Sequence, residues 1–130
     1  MANLYMKKQR SVLLALSFMS VLCSAAELNV PNTQESINKG RALFQTLCTQ
    51  CHGHDGKAQI DVVANATDLT DPTAYLHGSD DAAIEKSIRD GAGAIMPAWG
   101  TELRNPDDIG HLRNFIQSLW PEDKRPALVE

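Results

Sequence analysis

The chain is 130 residues long, with 16 Asp+Glu against 12 Lys+Arg and a formal net charge of −4. That length allows one domain and argues against several. A chain this acidic is not built to coat a phosphate backbone, which excludes nucleic acid as a partner.

The first stretch reads as something other than domain. Residues 1–26 carry Lys7, Lys8 and Arg10 and no acid, then an apolar run from Val12 to Leu22, then Ser24-Ala25-Ala26 ahead of Glu27. Small residues at −3 and −1 of a cleavage site complete the layout of a secretory signal. We therefore read 1–26 as a signal peptide and 27–130 as the domain, exported and soluble after cleavage. The apolar run is about a dozen residues, short of the ~20 a spanning helix needs, so an uncleaved anchor is the weaker alternative. Lipid attachment at Cys23 would want a small residue before it, and Leu22 stands there. Membrane association would need an uncleaved leader or a partner.

Removing the leader's three cations leaves nine Lys+Arg against 16 Asp+Glu, a net charge of about −7 by that count. It also leaves two cysteines, Cys48 and Cys51, and one methionine, Met96. Two cysteines three positions apart make a poor structural disulfide, because the bridge would close almost no loop.

Three helices are expected in what remains. Asn32 with Glu35 three residues later resembles a capping box, and Ile37, Gly40, Leu43, Phe44 and Leu47 then fall on one face. Ser79-Asp80-Asp81 opens a second helix through Arg89, with Ile84 and Ile88 one turn apart and Gly91 placed to end it. Asn105-Pro106-Asp107-Asp108 starts a third, with a cap, a proline at the first helical position and acids at the positive end of the dipole. Ile109, Leu112, Phe115, Ile116, Leu119 and Trp120 give it a broad apolar face before Pro121. Residues 53–78 and 91–104, rich in Gly, Pro, Asp, Asn and Thr, read as long loops, and no run alternates as a strand would.

Three modest helices bury little area in a domain this small. Long loops in a compact domain usually wrap something, so a large apolar ligand would resolve both difficulties. Without it the chain is expected to be largely disordered.

Cys48-Thr49-Gln50-Cys51-His52 is a C-x-x-C-H sequence, the attachment signature of haem c. Two thiols on one helical turn reach the two vinyl groups and bond as thioethers, and His52 then presents a ring nitrogen to the iron. A thioredoxin-like redox pair would want a strand before it, whereas Leu43–Leu47 is helical. A zinc site would want a second closely spaced ligand pair.

For the sixth iron position, Met96 stands before Pro97 in the Gly91–Gly100 loop, where glycines permit close approach and the proline stiffens the strap. A lone methionine is ordinarily core filler; beside a haem signature and off any helix face, it reads as the ligand. His54 is too close to the attachment site to reach the far face. His111, on the polar side of the last helix, is expected to be solvated, and His77 is the one credible rival.

These residues resemble a single-haem class I c-type cytochrome. The resemblance is greatest to the small cytochrome domains of bacterial terminal-oxidase subunits and to the electron acceptors of quinoprotein dehydrogenases. It spans about residues 36–120: G-R-A-L-F, C-T-Q-C-H-G-H-D-G-K, D-L-T-D-P, G-S-D-D-A-A-I, M-P-A-W-G and L-R-N-F-I-Q-S-L-W. The resemblance implies an all-α cytochrome c fold, three to four helices with long loops wrapped around one covalently bound haem c. It implies attachment through Cys48 and Cys51, axial ligation by His52 and Met96, and first and last helices crossing near Gly40 with Phe44 against Trp120 or Phe115. Ala58 stands where the family often has glycine, and His77 where relatives often carry an aromatic. Tyr75 and Trp99 are candidates to hydrogen-bond the propionates, with plain packing the alternative. Arg89 is a candidate for the same role, or a partner of Glu85 one turn away.

The function expected is one-electron transfer in the periplasm, with a dehydrogenase or terminal oxidase as redox partner and no catalysis of its own. The alternative is a haem enzyme or gas sensor in which Met96 is displaceable. Asp55, Asp61, Asp68, Asp71, Asp80 and Asp81 either seek a basic docking face or simply solvate the surface.

Overall fold

The computed structural model describes residues 29–58 and 65–130; the signal peptide read over 1–26, and Asp61, lie outside them. The described residues form four α-helices in chain order: α1 Gln34–Leu47, α2 Thr49–His52, α3 Asp81–Asp90 and α4 Asp108–Ser118. Single 3₁₀ turns stand at Pro72–Ala74 and Glu122–Lys124. The extended backbone among the described residues pairs only as an isolated antiparallel bridge, Ala92 to Met96.

Helix α1 is capped by Thr33, whose hydroxyl accepts the Ser36 N–H at 3.1 Å, one residue later than expected. Asn32 is drawn off by the C-terminal tail. Its side-chain amide donates to the carbonyls of Pro126 and Ala127, and its own carbonyl accepts the Val129 N–H. Helix α3 starts as expected, with the Asp80 carboxylate accepting the Ala83 N–H, and stops at Gly91 with φ +84°.

Helix α4 begins later than the Asn105-Pro106 signal suggests. The Asn105 side chain accepts the Asp107 N–H and its carbonyl accepts the Asp108 N–H, so the motif closes a turn before the helix opens. At the other end the α-helix stops at Ser118, and Trp120 reaches the core from beyond it.

Helices α1 and α4 cross at Gly40. A Cβ there would lie 1.9 Å from the His111 carbonyl oxygen and 2.8 Å from Phe115 Cβ, so only glycine permits this approach. Beside the crossing, the Phe44 and Phe115 rings pack at 5.1 Å, tilted by 54°. Of the two aromatics expected at the contact, Phe115 is the one that meets Phe44.

His111 is a correction: it is half-buried, and its Nδ1 shares a 2.8 Å hydrogen bond with Ser36 Oγ. The close crossing brings that face of α4 onto α1, where helical periodicity alone had left it to solvent. Asn114, fully buried, donates to the same Ser36 hydroxyl at 2.8 Å.

Arg113 ties the outer elements to this pair. Its guanidinium donates to the Val30 carbonyl at 2.6 Å and to Asn114, and lies 2.8 Å from Glu85 and 3.1 Å from Asp81 on α3. Glu85 is thus closer to Arg113 than to Arg89, which stands 3.9 Å away. A 5 %-exposed cation satisfied on several sides holds α3 and residue 30 to α4.

Candidate functional site

The five-residue Cys48–His52 motif lies where α1 gives way to α2. Cys48 closes α1 by donating its N–H to Phe44 O, and its carbonyl accepts the N–H of both Cys51 and His52. Both thiols are free. Burial, with Cys51 adding to it, pushes the Cys48 thiol up to about 12. A redox-active thiol depends on a depressed pKa, and burial moves Cys48 the other way. Among the described residues, no group of three or more His, Cys, Asp or Glu gathers as a metal site would need.

His52 is buried, and its Nδ1 lies 3.0 Å from the Thr67 carbonyl oxygen. A carbonyl can only accept, so the ring carries its proton on Nδ1 and leaves Nε2 with a lone pair. Burial holds the imidazole below its ordinary range, against the opposite pull of the Thr67 carbonyl. A neutral ring with a free Nε2 and an oriented Nδ1–H is the form a metal ligand takes.

The segment that supplies Thr67 is itself pinned. Leu69 donates its N–H to Gly56 O at 2.7 Å and accepts the Tyr75 hydroxyl at 2.9 Å. The turn after the motif also closes: Ala58 donates to His52 O and adopts φ +55°. Ala58, standing where the resemblance led us to expect glycine, thus holds a left-handed conformation that glycine adopts more freely.

Met96 is held by a second tight arrangement. Ala92 and Met96 exchange both backbone hydrogen bonds, and Trp99 and Gly100 donate to the last carbonyls of α3, Ile88 and Arg89. Gly91 permits the closure, since a Cβ there would lie 2.7 Å from the Met96 oxygen.

Cys48, Cys51, His52 and Met96 all line one cavity of about 610 Å³, walled by apolar side chains including Phe44, Leu69, Ile84, Ile88 and Leu112. That volume is in the range of cofactor pockets. His54, His77 and His111 do not line it, and His54 and His77 are exposed. The residues therefore fit a haem: an apolar cavity of suitable size, two unbridged thiols, an imidazole with Nε2 free and a thioether.

Tyr75 and Trp99 also line the cavity. The Tyr75 hydroxyl, a candidate for propionate binding from sequence, is instead spent on Leu69 O and on the Trp120 indole N–H, 3.0 Å away. Burial pushes its phenol up to about 12. Thr67 and Leu69 escaped the sequence reading because they contribute backbone carbonyls, which any residue type would supply.

The acids read from sequence as either a docking cluster or plain surface solvation have local partners at the five described positions. Asp55, Asp68 and Asp71 each accept a backbone N–H two residues on, Asp80 caps α3, and Asp81 meets Arg113 and Gln117.

The family model described as cytochrome c oxidase, cbb3-type, subunit III matches residues 35–116. Among curated proteins, the chain is 33% identical over 115 residues to the cbb3-type cytochrome c oxidase subunit FixP of Azorhizobium caulinodans, covering 80% of this chain and 38% of that protein. It is 37% identical over 81 residues to FixP of Bradyrhizobium diazoefficiens, covering 62% and 27%. To the CcoP subunit of Rhodobacter capsulatus it is 33% identical over 69 residues, covering 53% and 22%. The chain thus spans only about a fifth to two fifths of the length of these relatives. Among solved structures, cytochrome cL of Methylophaga aminisulfidivorans superposes with TM-score 0.59 at 28% identity, over 68% of this chain and 57% of that one. A chain of the Kuenenia stuttgartiensis reducing HAO-like protein complex gives TM-score 0.61 at 21% identity, over 73% and 48%, and speaks to the fold alone.

Proposed function

The chain belongs to the family of cytochrome c oxidase, cbb3-type, subunit III, and on that premise we propose that it is a one-electron carrier with His/Met-ligated haem c. It has the cytochrome c fold, and a cytochrome c domain binds haem c. In our reading one haem is attached through Cys48 and Cys51, with His52 and Met96 as axial ligands. The observation that carries this is the single apolar cavity onto which all four residues converge.

Bound there, the haem supplies a one-electron couple at iron. The chain's part is to fix the ligands and exclude water. The Thr67 carbonyl keeps the His52 proton on Nδ1 and so aims Nε2 inward. The Ala92–Met96 bridge holds the thioether loop closed. Held by a neutral His52 imidazole and the Met96 thioether, the haem would favour reduced iron relative to one held by two imidazoles, and those two residues would leave no open position for oxygen or substrate. Leu76 and Ile95, 65% and 58% exposed, rim the cavity and offer an apolar surface for brief contact with a partner. The relatives' names make an oxidase the partner to test first, with a dehydrogenase the alternative. Periplasmic placement rests on the leader and on haem attachment outside the cytoplasmic membrane.

Carbon monoxide added to the reduced protein at neutral pH tests the reading. Slow or absent binding is expected; immediate tight binding would favour a gas-binding enzyme or sensor with displaceable Met96. Met96→Ala is expected to abolish the weak sulfur-to-iron charge-transfer band of the oxidised protein. A band that survives would remove Met96 from the ligand set.

A further inference from the structure

We infer that Tyr75 is a positioning residue for the His52 side of the cofactor, acting through the segment that carries the Thr67 carbonyl. The inference rests on the reading that His52 holds the iron. Thr67 meets His52 through its backbone, so the length of that hydrogen bond depends on where residues 67–69 are held.

Leu69 is the anchor of that segment and is buried. Its N–H is taken by Gly56 O at 2.7 Å and its carbonyl by the Tyr75 hydroxyl at 2.9 Å. The phenol oxygen in turn accepts the Trp120 indole N–H at 3.0 Å, with the two rings edge-on at 6.1 Å. An indole N–H can only donate and a carbonyl can only accept. The phenol, able to do both, is therefore the group that joins them. Trp120 stands two residues beyond the end of α4, which crosses α1 at Gly40, and α1 leads into the Cys48–His52 motif. Tyr75 thus references the carbonyl that binds His52 to the helix pair whose α1 leads into the turn that carries His52. Each partner is buried or half-buried, so water cannot readily replace a lost bond.

A carbonyl drawing on the Nδ1–H makes the imidazole a stronger donor, which favours oxidised iron and lowers the potential. Tyr75→Phe keeps the ring against the cavity and removes both hydrogen bonds. The Leu69 carbonyl is then released, the Thr67 contact loosens, and two readouts should move together in the haem-loaded protein. The midpoint potential rises, by up to about a tenfold change in the one-electron equilibrium, or about 59 mV. The His52 Nδ1 proton, followed by NMR in the reduced state, exchanges with deuterium several-fold faster. Trp120→Phe, which leaves the Tyr75–Leu69 bond in place, should shift both in the same direction by less.

The wild-type spectrum separates the two layers. If no His52 ligand resonance appears there, the haem-ligand reading fails and the inference falls with it. If the resonance appears and Tyr75→Phe leaves both readouts unchanged, the inference alone is overturned. A potential that shifts while proton exchange stays at the wild-type rate also overturns it, because the hydroxyl would then act on the cofactor directly.

Discussion

Gly40→Ala probes the α1–α4 crossing with one methyl group. The added Cβ would sit 1.9 Å from the His111 carbonyl oxygen, 2.6 Å from its carbon and 2.8 Å from Phe115 Cβ. The first two obstacles are backbone, which no rotamer change removes, so the helices must part by more than an ångström. Parting strains the Phe44–Phe115 contact at 5.1 Å and the Ser36–His111 hydrogen bond at 2.8 Å. Overpacking of this kind costs about 1–3 kcal/mol, and the upper end applies where backbone opposes. Loss of the aromatic pair adds about 1 kcal/mol. Alanine's better helix propensity returns about 1 kcal/mol. The net is about 3 kcal/mol, which for a domain near this size lowers the melting temperature by roughly 12–24 °C. Thermal unfolding of the haem-loaded protein, followed by far-ultraviolet circular dichroism, measures it. A midpoint within about 2 °C of wild type would refute the close crossing.

Gly91→Ala places a side chain at φ +84° and 2.7 Å from the Met96 carbonyl oxygen. It should weaken or abolish the sulfur-to-iron band while leaving the haem attached, as absorption spectra of the oxidised protein would show. Tyr75 gives an alkaline signature. Its folded-state phenol lies at about 12 against an ordinary value of 10.0. An unfolded chain therefore loses the proton first, so the stability from this group is complete below pH 10 and is lost as pH rises through 12. Denaturant midpoints should fall over that window in wild type and fall less in Tyr75→Phe; equal slopes would contradict the burial of this hydroxyl.

Much of the site was legible because its chemistry resides in side chains at fixed spacing. Cys48, Cys51 and His52 announce themselves within five residues, and Met96 is the one methionine outside residues 1–26. The second helix was equally plain, since Asp80 and Gly91 are strong local signals at its two ends. What escaped was decided by distant partners. Asn32 looked like a cap and was claimed by residues 126 and 127. His111 looked solvated because periodicity describes one helix, and the partner that buries it comes close only where Gly40 allows. Tyr75 offered a propionate bond or plain packing, and its hydroxyl instead meets Leu69, six residues earlier, and Trp120, 45 residues on. The backbone carbonyl of Thr67 left no trace in the sequence at all.

The most direct test of covalent haem attachment is the alkaline pyridine spectrum of the exported protein, produced in a host able to mature such proteins and then extracted with acid acetone. The account expects the haem absorption to stay with the polypeptide, at one haem per chain, and to be lost from the polypeptide in the Cys48→Ala/Cys51→Ala variant. A colourless protein, or haem that passes entirely into the acetone, would contradict it.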